Sequence, residues 1–365
     1  MTIALHELIE QLEAEGVLDP STQSAAASYM ESRSIAQPWY VRAMVGIGAW
    51  LASLLLIGFI GGFAFALESG YAFVGIAFIA AAIFVRRQND NDFLVQSSLA
   101  VSLAGQALFS WGFAEMSGAE ESEAWCALII VMSTVLFFIF PDRVHRVIMV
   151  LLVAGSLTVL LYLWELNALV PLIGPMLAGG LIVVHAKQGK FIASGQGEYL
   201  RPLMSGLMLS AFAVLMLSTI YIMPDLPTGD TEIYPRPWIT TIALGALFLW
   251  VGAGIWPNLT VASAWLATSV IYALMLIVIL SSYAAPGLLL ALIVVMLGAA
   301  SSQRTFTGAG VGFLAVFVGA YFYAIEVTML TKSITLVATG IAVFLTRWVL
   351  LAFISTESPR EERRA

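Results

Sequence analysis

From Val41 onward, apolar runs of about twenty residues follow one another with only short polar links between them. A hydrocarbon layer of about 30 Å takes about twenty helical residues to cross. The runs fall near 43–67, 71–85, 93–115, 124–140, 146–164, 168–185, 202–223, 238–256, 259–280, 284–301, 306–326 and 333–354. Each is continuously apolar rather than alternating, so helices, not barrel strands, are expected to carry the backbone through lipid. The expected fold is all-α: a polytopic helical membrane protein with about twelve transmembrane helices. Links as short as 68–70 and 165–167 make the helices they join antiparallel neighbours.

Composition supports this class. Hydrophobic residues make up 60% of the chain and charged residues 11%, against about 25% charge in a soluble domain. That is too little polar surface to coat a water-soluble globule of this size. The few cations are unevenly spread. With the N-terminus inside, Arg33, Arg42, Arg86, Arg87, Arg143, Arg146, Lys187, Lys190, Arg201, Arg304, Arg347, Arg360, Arg363 and Arg364 all face the cytoplasm. Only Arg236 and Lys332 then lie outside. The reverse orientation would invert this bias, so both termini are expected in the cytoplasm. The outer loops carry acids instead: Glu120, Glu121 and Glu123 in one, Asp225, Asp230 and Glu232 in another.

Residues 1–40 differ from the rest. Leu5, Leu8, Ile9 and Leu12 recur at helical spacing among Glu7, Glu10, Glu13 and Glu15. Asp19 and Pro20 read as the N-cap and first position of a second short helix. The expected organisation is a cytoplasmic amphipathic helical leader over 1–40, a transmembrane bundle over 41–355 and a cytoplasmic charged tail over 356–365. No basic segment precedes an apolar core in the leader, so the first span is expected to act as an uncleaved insertion signal.

Several function classes lose support. A formal charge of −7 argues against a nucleic-acid partner. Cys126 is the single cysteine, which rules out an intramolecular disulfide and a cysteine metal cage. His6, His145 and His185 are too scattered for metal-ligand spacing. Gly189-Lys190 and Gly195-Gln196-Gly197 lack the order of a phosphate-binding loop and read as a flexible, basic connector. No paired carboxylates and no nucleophile elbow are visible. No catalytic residue, cofactor or metal is therefore expected.

Candidate functional residues cluster at the outer side. Four outward-running spans end in aromatic residues followed by an acid: Glu68, Glu115, Glu165 and Glu326. An aromatic belt followed by the first hydrated residue explains this pattern, and a ring of acids from an old hairpin repeat is the alternative. In the last hairpin, Tyr321 and Tyr323 precede Glu326, and Lys332 and Ser333 open the final span. Lys332 stands where both the positive-inside bias and the helix dipole disfavour a cation. Glu326, a lipid headgroup or a partner carboxylate would compensate it, and Ser333 or Thr331 would cap the helix. Arg347 near the inner end of that span is read as snorkelling, or as an inward ion pair. Arg236 is the other outer cation. Gln106 is the most polar residue at mid-membrane depth, and a lone Gln there more often joins helices than marks a site.

Thr328, Leu330, Lys332-Ser333, Leu336, Gly340 and Arg347 together resemble the C-terminal signature of the bacterial membrane proteins grouped as domain of unknown function 4401. Pro38-Trp39-Tyr40-Val41-Arg42 and Gly48-Ala49-Trp50-Leu51-Ala52 resemble that family and its relative, domain of unknown function 2157. The leader is similar to the relative's N-terminus. The resemblance covers nearly the whole chain. It implies a multi-pass protein of the bacterial inner membrane. It also implies a second membrane-anchored protein, named for a Gly-Asp-Tyr motif, as partner, and it assigns no reaction. The first expectation is a non-enzymatic subunit or scaffold of an envelope complex, contacting the bilayer and a partner at the periplasmic face. The alternative is a secondary transporter or a flippase-like lipid-handling protein.

Overall fold

The computed structural model describes residues 70–89, 91–117, 123–220, 237–255, 264–282 and 286–324, with isolated positions at 44–58 and 330–337. All regular structure among the described residues is helical. In chain order the helices are α1 (Tyr71–Gln88), α2 (Asp92–Ser117), α3 (Glu123–Ile139), α4 (Arg143–Leu163), α5 (Val170–Ala186), α6 (Gln188–Ala193), α7 (Gly197–Ile220), α8 (Pro237–Ile255), α9 (Ala264–Ser281), α10 (Gly287–Ala300) and α11 (Arg304–Ala324), with a 3₁₀ turn at Asn167–Leu169. Among the described residues, five segments are long and apolar enough to cross a membrane: Tyr71–Gln88, Asp92–Met116, Arg143–Leu163, Asn167–Ala186 and Gly197–Met216. Four shorter apolar helices accompany them. The described residues are thus all-helical, with several apolar segments that fit a membrane protein. Every expected span from 71–85 to 306–326 overlaps a helix within the described residues. The first span is helical at its described positions, and most of the last lies outside the described residues, as do the leader and the tail.

The chain divides into two compact units, Met1–Ala107 and Leu108–Ala365. In the first, α1 approaches α2 closely at Gly105. A Cβ on Gly105 would come within 2.8 Å of the Gly75 carbonyl and 2.9 Å of Phe78 Cβ, so a small residue is required there. Trp50 Nε1 donates to Gln96 Oε1 at 3.4 Å. α2 buries a polar stripe: in this unit Ser98, Ser102 and Gln106 recur every four residues and all are buried. Gln106 donates to Ser102 Oγ one turn earlier on its own helix.

In the second unit, α3 and α4 form an antiparallel hairpin, α4 packs on α7, and α7 packs on α5, α6, α10 and α11. α8 lies against α5, α9 and α10. The core follows α5, α7, α8, α10 and α11, with Phe212 stacked on Phe313 at 3.7 Å. α10 and α11 meet backbone to backbone, because Gly298 faces Thr307, and Gly310 faces Val295 and the Ala291 carbonyl.

Prolines shape this unit. Pro175 lies inside α5 and offers no N–H to the carbonyl four residues earlier, that of Pro171. Thr240 Oγ1 on α8 donates to that carbonyl at 2.7 Å, and the bond is buried. A defect in one helix thereby ties it to another. Thr240→Val is expected to lower the unfolding free energy in detergent by about 1 kcal/mol. Adding Pro175→Ala, which restores the helix donor, should remove most of that loss.

Candidate functional site

A cavity of about 670 Å³ opens among α3, α4, α5, α6 and α7. Its walls are apolar: Phe137 and Phe138 on α3, Met149, Val153 and Leu157 on α4, and Leu200, Leu203 and Leu207 on α7. Ser133, Thr134, Gln196 and Tyr199 supply its few polar groups. The lining residues Phe138 and Leu157 are also exposed, as are Val131 and Val135 on α3. The cavity therefore opens onto the apolar flank of the helices rather than being sealed inside them. Gly206 lets α4 and α7 meet beside it, since a Cβ there would collide with Val150.

One end of the cavity carries Gln196 and Tyr199, and Arg146 packs behind that wall, against Tyr199 and Phe137. The Arg146 side chain is only 6% exposed. Its Nε donates to the Phe137 carbonyl at 3.1 Å, and Nη1 donates to the Glu198 carbonyl at 3.4 Å. Both acceptors are orphaned by prolines. Pro141 stands four residues after Phe137, and Pro202 stands four residues after Glu198, so neither carbonyl has its helical donor. Nη2 reaches Glu198 Oε1 at 3.5 Å, although that carboxylate side chain is 60% exposed. The guanidinium lies over the Tyr199 ring, 4.3 Å from its centre. Phe137, Phe138 and Tyr199 form an aromatic cluster with centroids 5.1 to 6.1 Å apart. The start of α4 is fixed by Asp142, whose Oδ1 accepts from the His145 N–H at 2.9 Å. The His145 ring is buried and stacked on Phe140 at 4.1 Å.

The stretch expected to be a flexible connector holds α6, whose Phe191 joins the cavity wall while Lys187, Lys190 and Ile192 are exposed. An apolar residue that can be buried against α7 turns a basic link into an amphipathic helix.

The outer candidates fare differently. Glu115 and Glu165 are exposed at the far ends of α2 and α4. Glu165 closes its helix with φ 57°, in the left-handed region. Trp111, Tyr162 and Trp164 beside them are exposed, as interfacial aromatics would be. Ser333 is helical and exposed. Tyr321 and Tyr323 lie on the last turn of α11, with only their backbone described. Glu68, Arg236, Glu326, Lys332 and Arg347 lie outside the described residues. Arg146 was legible only as one inner cation among fourteen. The signal that could have found it is the pair of prolines, each four residues beyond a carbonyl that the same arginine reaches.

The family described as Domain of unknown function (DUF4401) matches residues 38–352, and the chain belongs to it. No curated protein and no solved structure matches the chain.

Arg146→Met withdraws the donors from the Phe137 carbonyl, in a buried bond, and the Glu198 carbonyl, in a part-buried one, and is expected to lower stability by about 1–3 kcal/mol in denaturant titration. Pro202→Ala in that background should recover part of the loss, because it returns an N–H to the Glu198 carbonyl.

Proposed function

We propose that this protein handles lipid, taking one amphiphile from the bilayer into the cavity between α3, α4 and α7. The supporting observation is the cavity itself: about 670 Å³ of apolar-walled space, open on an apolar flank and polar at one end only. Sites for small molecules are commonly concave, of about 300–1,000 Å³, with few polar groups. Here the flank faces lipid if the helices cross a membrane, so the reachable ligand is a lipid. The polar end carries Arg143, Arg146, Lys187, Lys190 and Arg201, the end that the positive-inside rule assigns to the cytoplasm. The reading is non-enzymatic, because the lining offers no nucleophile–base pair among the described residues. In a bacterial inner membrane, the cavity would face the cytoplasmic leaflet.

A subunit role in an envelope complex is the second reading. It is favoured by Glu115 and Glu165, exposed acids at the end opposite the basic one. Purification in mild detergent without a stoichiometric membrane-anchored partner would count against it.

Ala154 is 3% exposed and lines the cavity. Ala154→Phe should fill it, and native mass spectrometry should then show about tenfold less co-purified lipid than in the parent protein. Undiminished lipid with a folded variant would overturn the lipid-handling reading.

A further inference from the structure

A guanidinium carries a permanent charge and five N–H donors. Among the described residues, Arg146 spends three of those donors: two on neutral carbonyls and one on Glu198. The carbonyls satisfy hydrogen bonding without neutralising charge. Among the described residues, Glu198 is the carboxylate that pairs with it, and it opposes the charge poorly. Its carboxylate stands at 3.5 Å, whereas a charge-assisted N–H···O bond is about 2.7–2.9 Å long. That carboxylate is also largely in solvent, where an ion pair contributes little. A buried cation is thus left with a loose, displaceable counter-ion. It lies against Phe137 and Tyr199, and both of these line the cavity.

We infer that Arg146 is an anion-binding residue for the phosphate of an anionic glycerophospholipid, whose acyl chain fills the cavity and whose phosphate displaces the Glu198 carboxylate. The inference rests on the lipid-handling reading and adds the headgroup. The cavity supplies the apolar half of the match. The spare donors of Arg146 supply the polar half, with a planar fork suited to phosphate oxygens. Exposed Lys190 on α6 and exposed Arg201 on α7 add positive charge on two of the elements that wall the cavity. A free anion would gain nothing from the apolar space, and a neutral lipid would leave Glu198 in place. Glu198 acts as the internal competitor: it holds the guanidinium in the empty state and swings into solvent when phosphate arrives.

The test uses the full chain in detergent, with phosphatidylglycerol and diacylglycerol of the same acyl chains as probes. Phosphatidylglycerol should bind about tenfold more tightly than diacylglycerol. Glu198→Gln removes the competitor and should raise phosphatidylglycerol affinity about threefold, the scale of a weak exposed ion pair, with diacylglycerol unchanged. Arg146→Lys should reduce the preference for phosphatidylglycerol wherever that variant folds, and the Glu198→Gln arm stands if it does not. Equal binding of the two lipids would overturn the phosphate assignment while leaving lipid handling intact. So would a Glu198→Gln variant with unchanged or weaker phosphatidylglycerol binding, the result of a purely structural pair. A fatty acid preferred over phosphatidylglycerol would reassign the anion to a carboxylate. If neither lipid binds, both readings fall.

Discussion

A backbone carbonyl freed inside apolar surroundings has to find another protein donor, because no water is at hand to serve it. Three prolines free carbonyls in the second unit, two of them in buried bonds (Phe137 and Pro171) and one in a part-buried bond (Glu198). Pro141, Pro175 and Pro202 leave the carbonyls of Phe137, Pro171 and Glu198 without their helical N–H. In each case the replacement donor comes from a different helix. Thr240 ties α8 to α5, and Arg146 ties α4 to both α3 and α7. Leaving such an acceptor unpaired costs about 1–3 kcal/mol. Packings that separate these helices are disfavoured by that amount at each carbonyl. A local defect in a helix thereby becomes a specification of its neighbours, in a medium where apolar contact alone does not tell one helix from another.

The same device builds the site. Arg146 has to lie where the end of α3, the start of α4 and the start of α7 converge, since its two carbonyl partners sit on α3 and α7. Packing then places the tyrosine face and the two phenylalanine rings around it. A residue recruited to satisfy backbone groups brings a full charge to the edge of an apolar cavity. The charge is a by-product of the structural task, and it is what gives the cavity a polar pole.

Much of the fold was legible because one physical demand dominates it. A span needs about twenty apolar residues, and α2, α4, α5 and α7 match the runs from which they were expected. α1 extends beyond its run to Gln88, because Arg86 and Arg87 are favourable in a last turn, opposite the carbonyl ends. α6 was not legible: six residues that include Gly189 and are followed by Gly195 and Gly197 carry no periodicity, and Phe191 at the cavity wall is what anchors them. The cavity left no sequence signal either. Its lining comes from five helices whose inward positions depend on how each is rotated, and a uniformly apolar helix does not advertise its rotation. The pattern of aromatics followed by acids was legible, and exposed Trp111, Tyr162 and Trp164 fit an interfacial belt.

Charge statistics direct attention to cations that break the positive-inside rule, Arg236 and Lys332. The structure shows why rule-abiding cations also need sorting. Arg143, Lys187, Lys190 and Arg201 are exposed, and the expected cytoplasmic placement asks nothing more of them. Arg146 obeys the same rule, three residues from Arg143, yet it is buried. Burying a guanidinium is expensive unless it is bonded on several sides. An arginine that needs only to orient a span gains nothing from that expense, and a lysine would orient it as well. The fork geometry, the two proline-orphaned carbonyls and the stacked Tyr199 ring explain why an arginine and not a lysine stands there. What they leave unexplained is the counter-ion. A buried charge fixed for structure alone would be expected to have an equally buried carboxylate, and Glu198 stands instead at 3.5 Å with most of its side chain in solvent. That mismatch separates Arg146 from Arg143, Lys187, Lys190 and Arg201, and it is the reason the proposed anion site is placed there.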